Sequence, residues 1–375
     1  TQPPTPWLKS IASISILVFF LFYVGSGLIA GGKLFNEVFG FDYQTAVFVS
    51  VALILLYTLF GGFLAVSWTD VFQGILMLLA LVAVPVLVIS QFGGTGQFAD
   101  QINQQNPQLL NIFTSAEGQA LGWMTIISTM GWGLGYFGQP HILARFKAIR
   151  SPADTPRAAA IGVSWALLCY LLAILVGLSG VAFLDQPLVD SEKVFIALTS
   201  LIFHPLVAGV LLAAILAAIM STVDSQLLVC SASLAEDLYP LATKEPLTAE
   251  KRLQVGRIAV VVLALLATLL AMNPDSKVLD VVSYAWAGLG ASLGPALLVS
   301  LYWRGMTALG ALAGVVTGGL TVVLWSRLEG GLFDLYALVP GFIFAIIAIF
   351  VFSLLSKKSL NPVVVKRFDQ MHSQL

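Results

Sequence analysis

The sequence predicts an all-α integral membrane protein, and three observations lead to that class. Hydrophobic residues make up 58% of the 375 residues and charged residues only 10%, whereas soluble domains carry about 25% charged residues. Ten segments are apolar over the roughly 20 residues that an α-helix needs to cross a bilayer. Lysine and arginine are also divided unequally between the two sets of connecting loops.

The ten predicted spans follow one another along the whole chain. Their expected limits are 8–31, 44–66, 70–90, 121–140, 158–184, 206–236, 254–272, 278–302, 306–326 and 333–356. A shorter apolar piece, 194–203, is expected to form a hairpin or a surface helix, and 91–120 is expected to be a long polar loop. The ninth span carries Gly310, Gly314 and Gly318 at intervals of four, which predicts close helix packing.

The distribution of basic residues predicts the orientation. With ten spans and a cytoplasmic C-terminus, the N-terminus is cytoplasmic too, and 14 of the 18 Lys and Arg residues face the cytoplasm. The other four are Lys33, Lys193, Lys277 and Arg327. The net charge of −1 gives no electrostatic reason to expect nucleic acid as a partner. The apolar composition instead predicts that lipid surrounds the protein.

Two sequence patterns resemble enzyme motifs but lie in the wrong context. The G-x-G-x-x-G pattern at 133–138 follows a helix-length apolar segment and precedes a basic loop, whereas dinucleotide binding needs a preceding strand and a following helix. The G-x-S-x-G pattern at 290–294 lies inside an apolar span, and no later span contains a histidine base. We therefore expect no enzyme.

The stretch GWGLGYFGQPH at 131–141 predicts a broken membrane helix. Glycine and proline cost a helix about 1 and 3 kcal/mol in water, and transporters use such unwound backbone to hold substrate and ions. Trp132, Tyr136 and Pro140 recur every four residues, so a helix would place them on one face that could cover an apolar ring. A packed interface lined by glycines is the alternative interpretation.

The sixth span carries a stripe of small and hydroxyl residues. Ala218, Ser221, Thr222 and Ser225 recur at helical spacing, and two adjacent hydroxyls with nearby carbonyls can bind a hard cation. The alternative is that these hydroxyls bond to carbonyls of their own helix. Asp224, about 60° around the helix from Ser221, adds a carboxylate of the kind that marks ion or proton paths.

Three further polar residues are candidates. Tyr23, in the first span, is either a polar group at mid-membrane or a packing residue. Asp70 opens the third predicted span, where it is either a carboxylate favoured by the helix dipole or a gating residue. Arg145 belongs to the basic loop after the fourth span and joins the charged candidates for coupling or gating.

Five blocks of the sequence resemble the sodium:solute symporter family, and one of them resembles its proline branch in particular. The blocks are YTLFGGFLAVSWTDVFQ, MGWGLGYFGQPHILARF, AAILAAIMSTVDSQLLVCS, VSYAWAGLGASLGP and PGFIFAIIAIFVFSLL. The resemblance implies one transporter domain over 1–375 with a LeuT-type fold of two inverted repeats. It implies that 8–90 supplies the last three helices of repeat one, 121–302 the five helices of repeat two, 306–356 two peripheral helices and 357–375 a cytoplasmic tail. Three family helices are expected before Thr1, so the chain is expected to be truncated at its N-terminus.

The same resemblance implies sodium-coupled symport of L-proline into a bacterial cell across its plasma membrane. It assigns roles to seven residues: substrate binding to Tyr23, Trp132, Tyr136 and Pro140, and sodium binding to Ala218, Ser221 and Thr222. Asp70, Asp224 and Arg145 are the expected coupling or gating residues, and Asp224 departs from the small uncharged residue of the familiar proline carriers. A symporter for another small solute and a transporter-like sensory domain remain the alternatives, and the sequence leaves the oligomeric state open.

Overall fold

The computed structural model describes residues 6–243, 248–356 and 362–372, with the backbone alone at 60–65. Within these ranges the chain is helical and forms no β-strand beyond an isolated bridge between Thr114 and Ala120. Fourteen α-helices lie in the described residues: α1 Pro6–Phe39, α2 Tyr43–Gln91, α3 Thr95–Gln105, α4 Trp123–Gly131, α5 Pro140–Lys147, α6 Thr155–Phe183, α7 Val194–Ile202, α8 Pro205–Ala232, α9 Tyr239–Thr243, α10 Ala249–Leu270, α11 Val278–Tyr302, α12 Ala308–Trp325, α13 Leu338–Leu355 and α14 Pro362–His372.

The predicted spans correspond well to the observed helices. In the described part of the chain, eight helical stretches are long and apolar enough to cross a membrane, and Tyr43–Leu59 is a shorter apolar helix. The remaining predicted span, 121–140, is the broken segment of α4 and α5. The prediction of an all-helical, multi-pass membrane protein is confirmed, and the apolar piece 194–203 is the short helix α7.

Helix α2 covers two predicted spans and bends sharply between them. The Tyr57 hydroxyl donates a hydrogen bond to Thr69 Oγ1. Twelve residues of straight helix would separate these residues by about 18 Å, so the chain bends sharply between them. The predicted span 70–90 corresponds to the apolar stretch Val66–Gln91, whereas the predicted span 44–66 corresponds to the shorter apolar helix Tyr43–Leu59.

Helix α1 lies at the centre of the fold and packs against α2, α8, α10, α11 and α12. Its large side chains Phe20, Leu28 and Ile29 are fully buried. Gly31 permits the close approach of α2, because a Cβ atom there would lie 2.0 Å from Ser50 Oγ. Tyr23 projects from this central helix into the interior of the protein.

The prediction of a long polar loop at 91–120 is partly wrong, because this segment contains helix α3 and a 3₁₀ turn, Pro107–Leu110. Phe98 and Ile102 are spaced by four residues and are both buried, together with Val88 of α2 and Ala182 of α6. Two apolar side chains at that spacing form a minimal stripe on a short helix. The polar composition of the surrounding residues hides this stripe in the sequence.

The glycine row of α12 packs closely, as its spacing predicts. A Cβ atom at Gly310 would lie 1.9 Å from Ser353 Oγ of α13, and one at Gly318 would lie 2.0 Å from the Ala291 carbonyl oxygen of α11. The predicted tail 357–375 contains helix α14, which Asp369 joins to Arg304 through a 2.8 Å ion pair. Residues 357–361 and 373–375 of that tail lie outside the described residues.

An ion-pair cluster joins three elements at the end of the fold that carries the predicted outward-facing lysines. The buried Lys33 ammonium lies 2.8 Å from Asp190 and 2.6 Å from Glu192, and Glu192 also accepts hydrogen bonds from the N–H groups of Val278 and Leu279 at the start of α11. Burial raises the pKa of both carboxyl groups, but Lys33 and backbone N–H donors outweigh it. The pKa of Asp190 and that of Glu192 therefore lie below their ordinary values.

Candidate transport site

The fourth predicted span is broken, as its glycines and proline predict. Helix α4 ends at Gly131, a 3₁₀ segment runs over Trp132–Gly138, and α5 begins at Pro140, where a missing N–H costs nothing. Gln139 between them is fully buried, and its Nε2 donates to the Gly135 carbonyl at 3.1 Å and to the Trp286 carbonyl at 3.4 Å. The side chain thus binds a carbonyl that the break exposes and ties it to α11.

Three glycines of the break, Gly131, Gly135 and Gly138, are packing residues, as the alternative interpretation holds, whereas Gly133 has open space around it. A Cβ atom at Gly135 would lie 1.9 Å from Trp286 Nε1, and one at Gly138 would lie 2.4 Å from the Leu289 carbonyl oxygen. The broken segment can therefore lie directly on α11. This close packing coexists with an open cavity on the other side of the segment, so the packing and functional interpretations both hold for this stretch.

Trp132 and Tyr136 do not share the face that an α-helix would give them. A 3₁₀ segment turns 120° per residue, so four residues separate two side chains by about 120° instead of the 40° of an α-helix. The Trp132 ring stacks on Trp286 at 5.9 Å and on Tyr336 at 5.5 Å between centroids, while Tyr136 lines the cavity. The expectation of a single aromatic face is wrong for this reason.

A cavity of about 830 Å³ lies where α1, α2, α6, α8 and α11 meet the broken segment. Tyr23, Tyr136, Ser221, Thr222, Asp70 and Arg145, six of the ten predicted site residues, line it. The volume falls within the range of ligand-binding pockets. Residues from distant parts of the sequence therefore come together in one place.

Aromatic rings form one wall of the cavity. Tyr136 meets the Trp286 ring edge-on at 4.9 Å, and its hydroxyl is hydrogen-bonded to that of Tyr170. Tyr23 lies edge-on to Trp286 at 6.4 Å and to His141 at 5.9 Å. Trp286 is fixed from behind, because its Nε1 donates to the Trp132 carbonyl at 3.0 Å. The wall offers apolar ring faces together with tyrosine hydroxyls.

The hydroxyl stripe of α8 forms part of another wall. Ser221 Oγ and Thr222 Oγ1 both donate to the Ala218 carbonyl at 3.0 Å, and Ser225 Oγ donates to the Ser221 carbonyl at 2.9 Å. The hydroxyl protons are directed along the helix, as the alternative interpretation expects, while the oxygen lone pairs remain available to a cation. Among the described residues, no three His, Cys, Asp or Glu side chains form a transition-metal site, so the chemistry here suits a hard cation bound by neutral oxygens.

Arg145 joins two helices at the floor of the cavity. One guanidinium nitrogen, Nη2, donates to Asp70 and to Ser225 Oγ, the latter at 2.5 Å. Arg145 and Ser225 also line a smaller cavity of about 230 Å³ that runs past Leu228 and Ala232 of α8. The Asp70–Arg145 pair therefore stands between two cavities. The expectation that Asp70 opens a helix is wrong, because Asp70 lies within α2 and not at its N-terminus.

Asp224 faces α2 and does not line the cavity. Its side chain is fully buried, Oδ1 accepts a hydrogen bond from Thr58, and Oδ2 has no partner. In the described part of the chain, no lysine or arginine pairs with Asp224. The carboxylate is buried next to the hydroxyl stripe but separate from it.

Four predicted site residues lie outside the cavity lining. They are Trp132, Pro140, Ala218 and Asp224. The sequence assigned no role to Tyr170 or Trp286, although Trp286 lies in one of the blocks that carry the family resemblance, and that block was the available signal. His141, the second residue of α5, also lines the cavity, and its buried Nδ1 has no hydrogen-bond partner among the described residues.

A helical fold with a broken helix beside a central cavity defines a membrane transporter of LeuT type, and comparison with known proteins agrees. A solved Na⁺-coupled sialic acid symporter, in its substrate-bound outward-open state, has the same fold, with a TM-score of 0.75 at 19% identity over 93% of this chain and 75% of that chain. The family model of the sodium:solute symporter family matches residues 5–318. The chain belongs to the sodium:solute symporter family.

Two curated relatives match nearly the whole chain. The high-affinity proline transporter PutP of Bacillus subtilis is 46% identical over 357 residues, which cover 94% of this chain and 74% of that protein. The sodium/proline symporter of Escherichia coli is 46% identical over 370 residues, which cover 97% of this chain and 72% of that protein.

Proposed function

We propose that this protein is a sodium-coupled symporter that carries L-proline into the cell by alternating access, and that it is a transporter rather than an enzyme. The observation that carries the proposal is the cavity in which an aromatic wall and the hydroxyl stripe of α8 face the same space. Proline is a small zwitterion with an apolar ring, which suits ring faces beside polar hydroxyls. The two relatives named as proline transporters support the same substrate.

In this proposal, some aromatic residues contact the substrate directly and others support them from behind. Tyr23 and Tyr136 contact the substrate, together with Trp286, which the sequence did not assign. Trp132 acts from behind by stacking on Trp286 and accepting its Nε1 hydrogen bond. Pro140 acts through the backbone, because it begins the second half of the broken helix.

Sodium binds as a co-substrate at the hydroxyl stripe. Ser221 and Thr222 supply hydroxyl oxygens, and the Ala218 carbonyl supplies a third oxygen one turn earlier. A ligand shifts an equilibrium only by its preference for one state, so sodium must bind the outward-open state better than the inward-open one. The Asp70–Arg145 pair acts as a gate between the large and the small cavity.

The proposed topology places both ends of the chain in the cytoplasm. Lys9, Arg145, Arg252 and Arg304 then lie on the cytoplasmic side and Lys33 on the outside, in agreement with the positive-inside rule. The chain is divided as the resemblance implies, with 8–90 in repeat one, 121–302 in repeat two and 306–356 as a peripheral pair.

Uptake of radiolabelled L-proline tests this proposal. Cells without their own proline uptake express the full-length gene product, and uptake is measured in sodium and in choline medium with a panel of unlabelled competitors. We expect uptake that requires sodium and that excess L-proline suppresses, while sialic acid and sugars do not. Uptake equal to that of empty-vector cells, with the protein present in the membrane, would contradict it; suppression by a different solute would reassign the substrate.

A further inference from the structure

A groove at the cytoplasmic end of α10 shares no lining residue with the transport cavity. Two adjoining cavities, of about 460 and 370 Å³, have Leu59 and Arg257 in common and so form one continuous groove. It runs between the first limb of α2, the C-terminal end of α8 with the π-helical turn that follows it (Ser233–Leu238), and α10. Neither the substrate wall nor the hydroxyl stripe uses this space.

One end of the groove is basic. Arg252 and Arg257 line it together with Glu236 and Ser231. Glu236 lies 3.9 Å from Arg252, and both side chains are more than half exposed, which makes this a weak pair. Arg257 is exposed and makes no hydrogen bond or ion pair within the described ranges. The basic end therefore carries one positive charge in excess, on an arginine that begins the third turn of an apolar helix.

The other end of the groove is apolar. It is lined by Leu59, Ile258, Val261 and Val262. The ten residue steps from Arg252 to Val262 rise about 15 Å along the helix, which is half of the roughly 30 Å hydrocarbon core and thus the depth of one leaflet. The groove is charged where a lipid headgroup lies and apolar where its acyl chain lies.

We propose that this groove binds one anionic glycerophospholipid of the cytoplasmic leaflet. The phosphate lies at Arg252 and Arg257, and one acyl chain follows the apolar side chains of α10 toward the middle of the membrane. A monoanionic headgroup neutralises the single excess charge and gives Arg257 the partner that it lacks in the protein. A free phosphate would leave the apolar end of the groove empty, and a zwitterionic lipid would leave the excess charge in place.

Native mass spectrometry of the detergent-purified full-length gene product tests the site. Phosphatidylglycerol and phosphatidylcholine with identical acyl chains are titrated in parallel, and the bound fraction is compared. We expect a preference for phosphatidylglycerol that Arg257→Gln weakens about fivefold, the effect of one basic residue near a membrane surface, while Arg257→Lys retains it. The control Arg150→Gln removes an exposed positive charge from the same face outside the groove and is expected to change nothing.

A second variant tests the apolar end without altering any charge. Val261→Trp fills the groove and is expected to weaken binding of both lipids, so it gives a result even where Arg257→Gln fails to fold. Equal binding of the two lipids by the unaltered protein would overturn the proposal. So would an Arg257→Gln variant that binds like Arg150→Gln, or a Val261→Trp variant that binds like the unaltered protein.

Discussion

Arg145, on the second half of the broken helix, forms an ion pair with Asp70 of α2. The Asp70 side chain is only 8% exposed, whereas that of Arg145 is 45% exposed, so the carboxylate depends on the cation more than the cation depends on it. The same guanidinium nitrogen also donates to Ser225 of α8. A single side chain thus ties the broken helix to both α2 and α8.

Arg145→Gln is expected to destabilise the protein by about 2 kcal/mol and to reduce proline uptake at least tenfold, because it leaves a buried carboxylate without a charged donor. Adding Asp70→Asn to this variant removes the buried charge and should restore much of the stability but not the uptake. Thermal unfolding in detergent and uptake at equal expression measure both effects. Arg304→Gln breaks an exposed pair with Asp369 and serves as the control, with a loss of no more than about 0.5 kcal/mol. An Arg145→Gln variant as stable and active as this control would refute the gate.

Tyr136→Phe is expected to raise the apparent Michaelis constant for proline about fivefold without loss of stability, because it removes one hydroxyl from the cavity wall. Tyr170→Phe should have a similar effect, since the two hydroxyls are hydrogen-bonded to each other. Concentration dependence of uptake measures the constant. Trp132→Ala is expected instead to cost about 3 kcal/mol of stability, because Trp132 packs between Trp286 and Tyr336. An unchanged Michaelis constant for proline in both phenylalanine variants would show that the two hydroxyls do not contribute to substrate binding.

Ser221→Ala and Thr222→Ala are each expected to raise the sodium concentration needed for half-maximal uptake, by roughly 5- to 150-fold for an oxygen ligand worth about 1–3 kcal/mol. Uptake at saturating sodium should be affected far less. Thr268→Ala is the matched control, because Thr268 also bonds a carbonyl of its own helix, that of Ala264 at 2.7 Å, but lies on α10 away from the cavity. Sodium activation that is identical in all three variants would exclude the stripe as the sodium site.

The ion-pair cluster of Lys33, Asp190 and Glu192 makes stability depend on pH. The pKa of Asp190 and that of Glu192 are lower in the folded protein than their ordinary values, so these groups contribute stability that is fully present above about pH 4.5 and is lost as the pH falls through the lowered values. Lys33→Met removes the cation, and we expect a lower melting temperature at pH 7 together with a shallower loss between pH 5 and 3. Melting curves over that range provide the measurement. Parallel pH profiles for the two proteins would show that Lys33 does not set these pKa values.

Much of the fold is readable from the sequence because lipid imposes a strong requirement. A membrane helix needs a continuous apolar segment, and the glycines and proline at 131–140 mark a span that breaks. Helix α3 is the hidden feature, because two residues there oppose the local composition. Phe98 and Ile102 form its buried stripe inside a polar stretch.

The arrangement of the site could be predicted only in part. The hydroxyl stripe follows from helical spacing within one element, but Arg145 and Asp70 are 75 residues apart and Thr58 and Asp224 are 166 apart. A single sequence contains no signal for such pairs. The expectation that Trp132 and Tyr136 share one face is wrong for a different reason. Their spacing places them on one face of an α-helix, but this segment is a 3₁₀ helix.

Reconstitution of the purified full-length gene product into proteoliposomes tests the central claim of sodium-coupled proline symport most directly. Radiolabelled L-proline is supplied outside, with an inward sodium gradient in one sample and equal sodium on both sides in the other. We predict that the gradient drives transient accumulation of proline above its external concentration, and that the Ser221→Ala/Thr222→Ala variant loses this accumulation. Equal proline uptake with and without the sodium gradient would contradict the account.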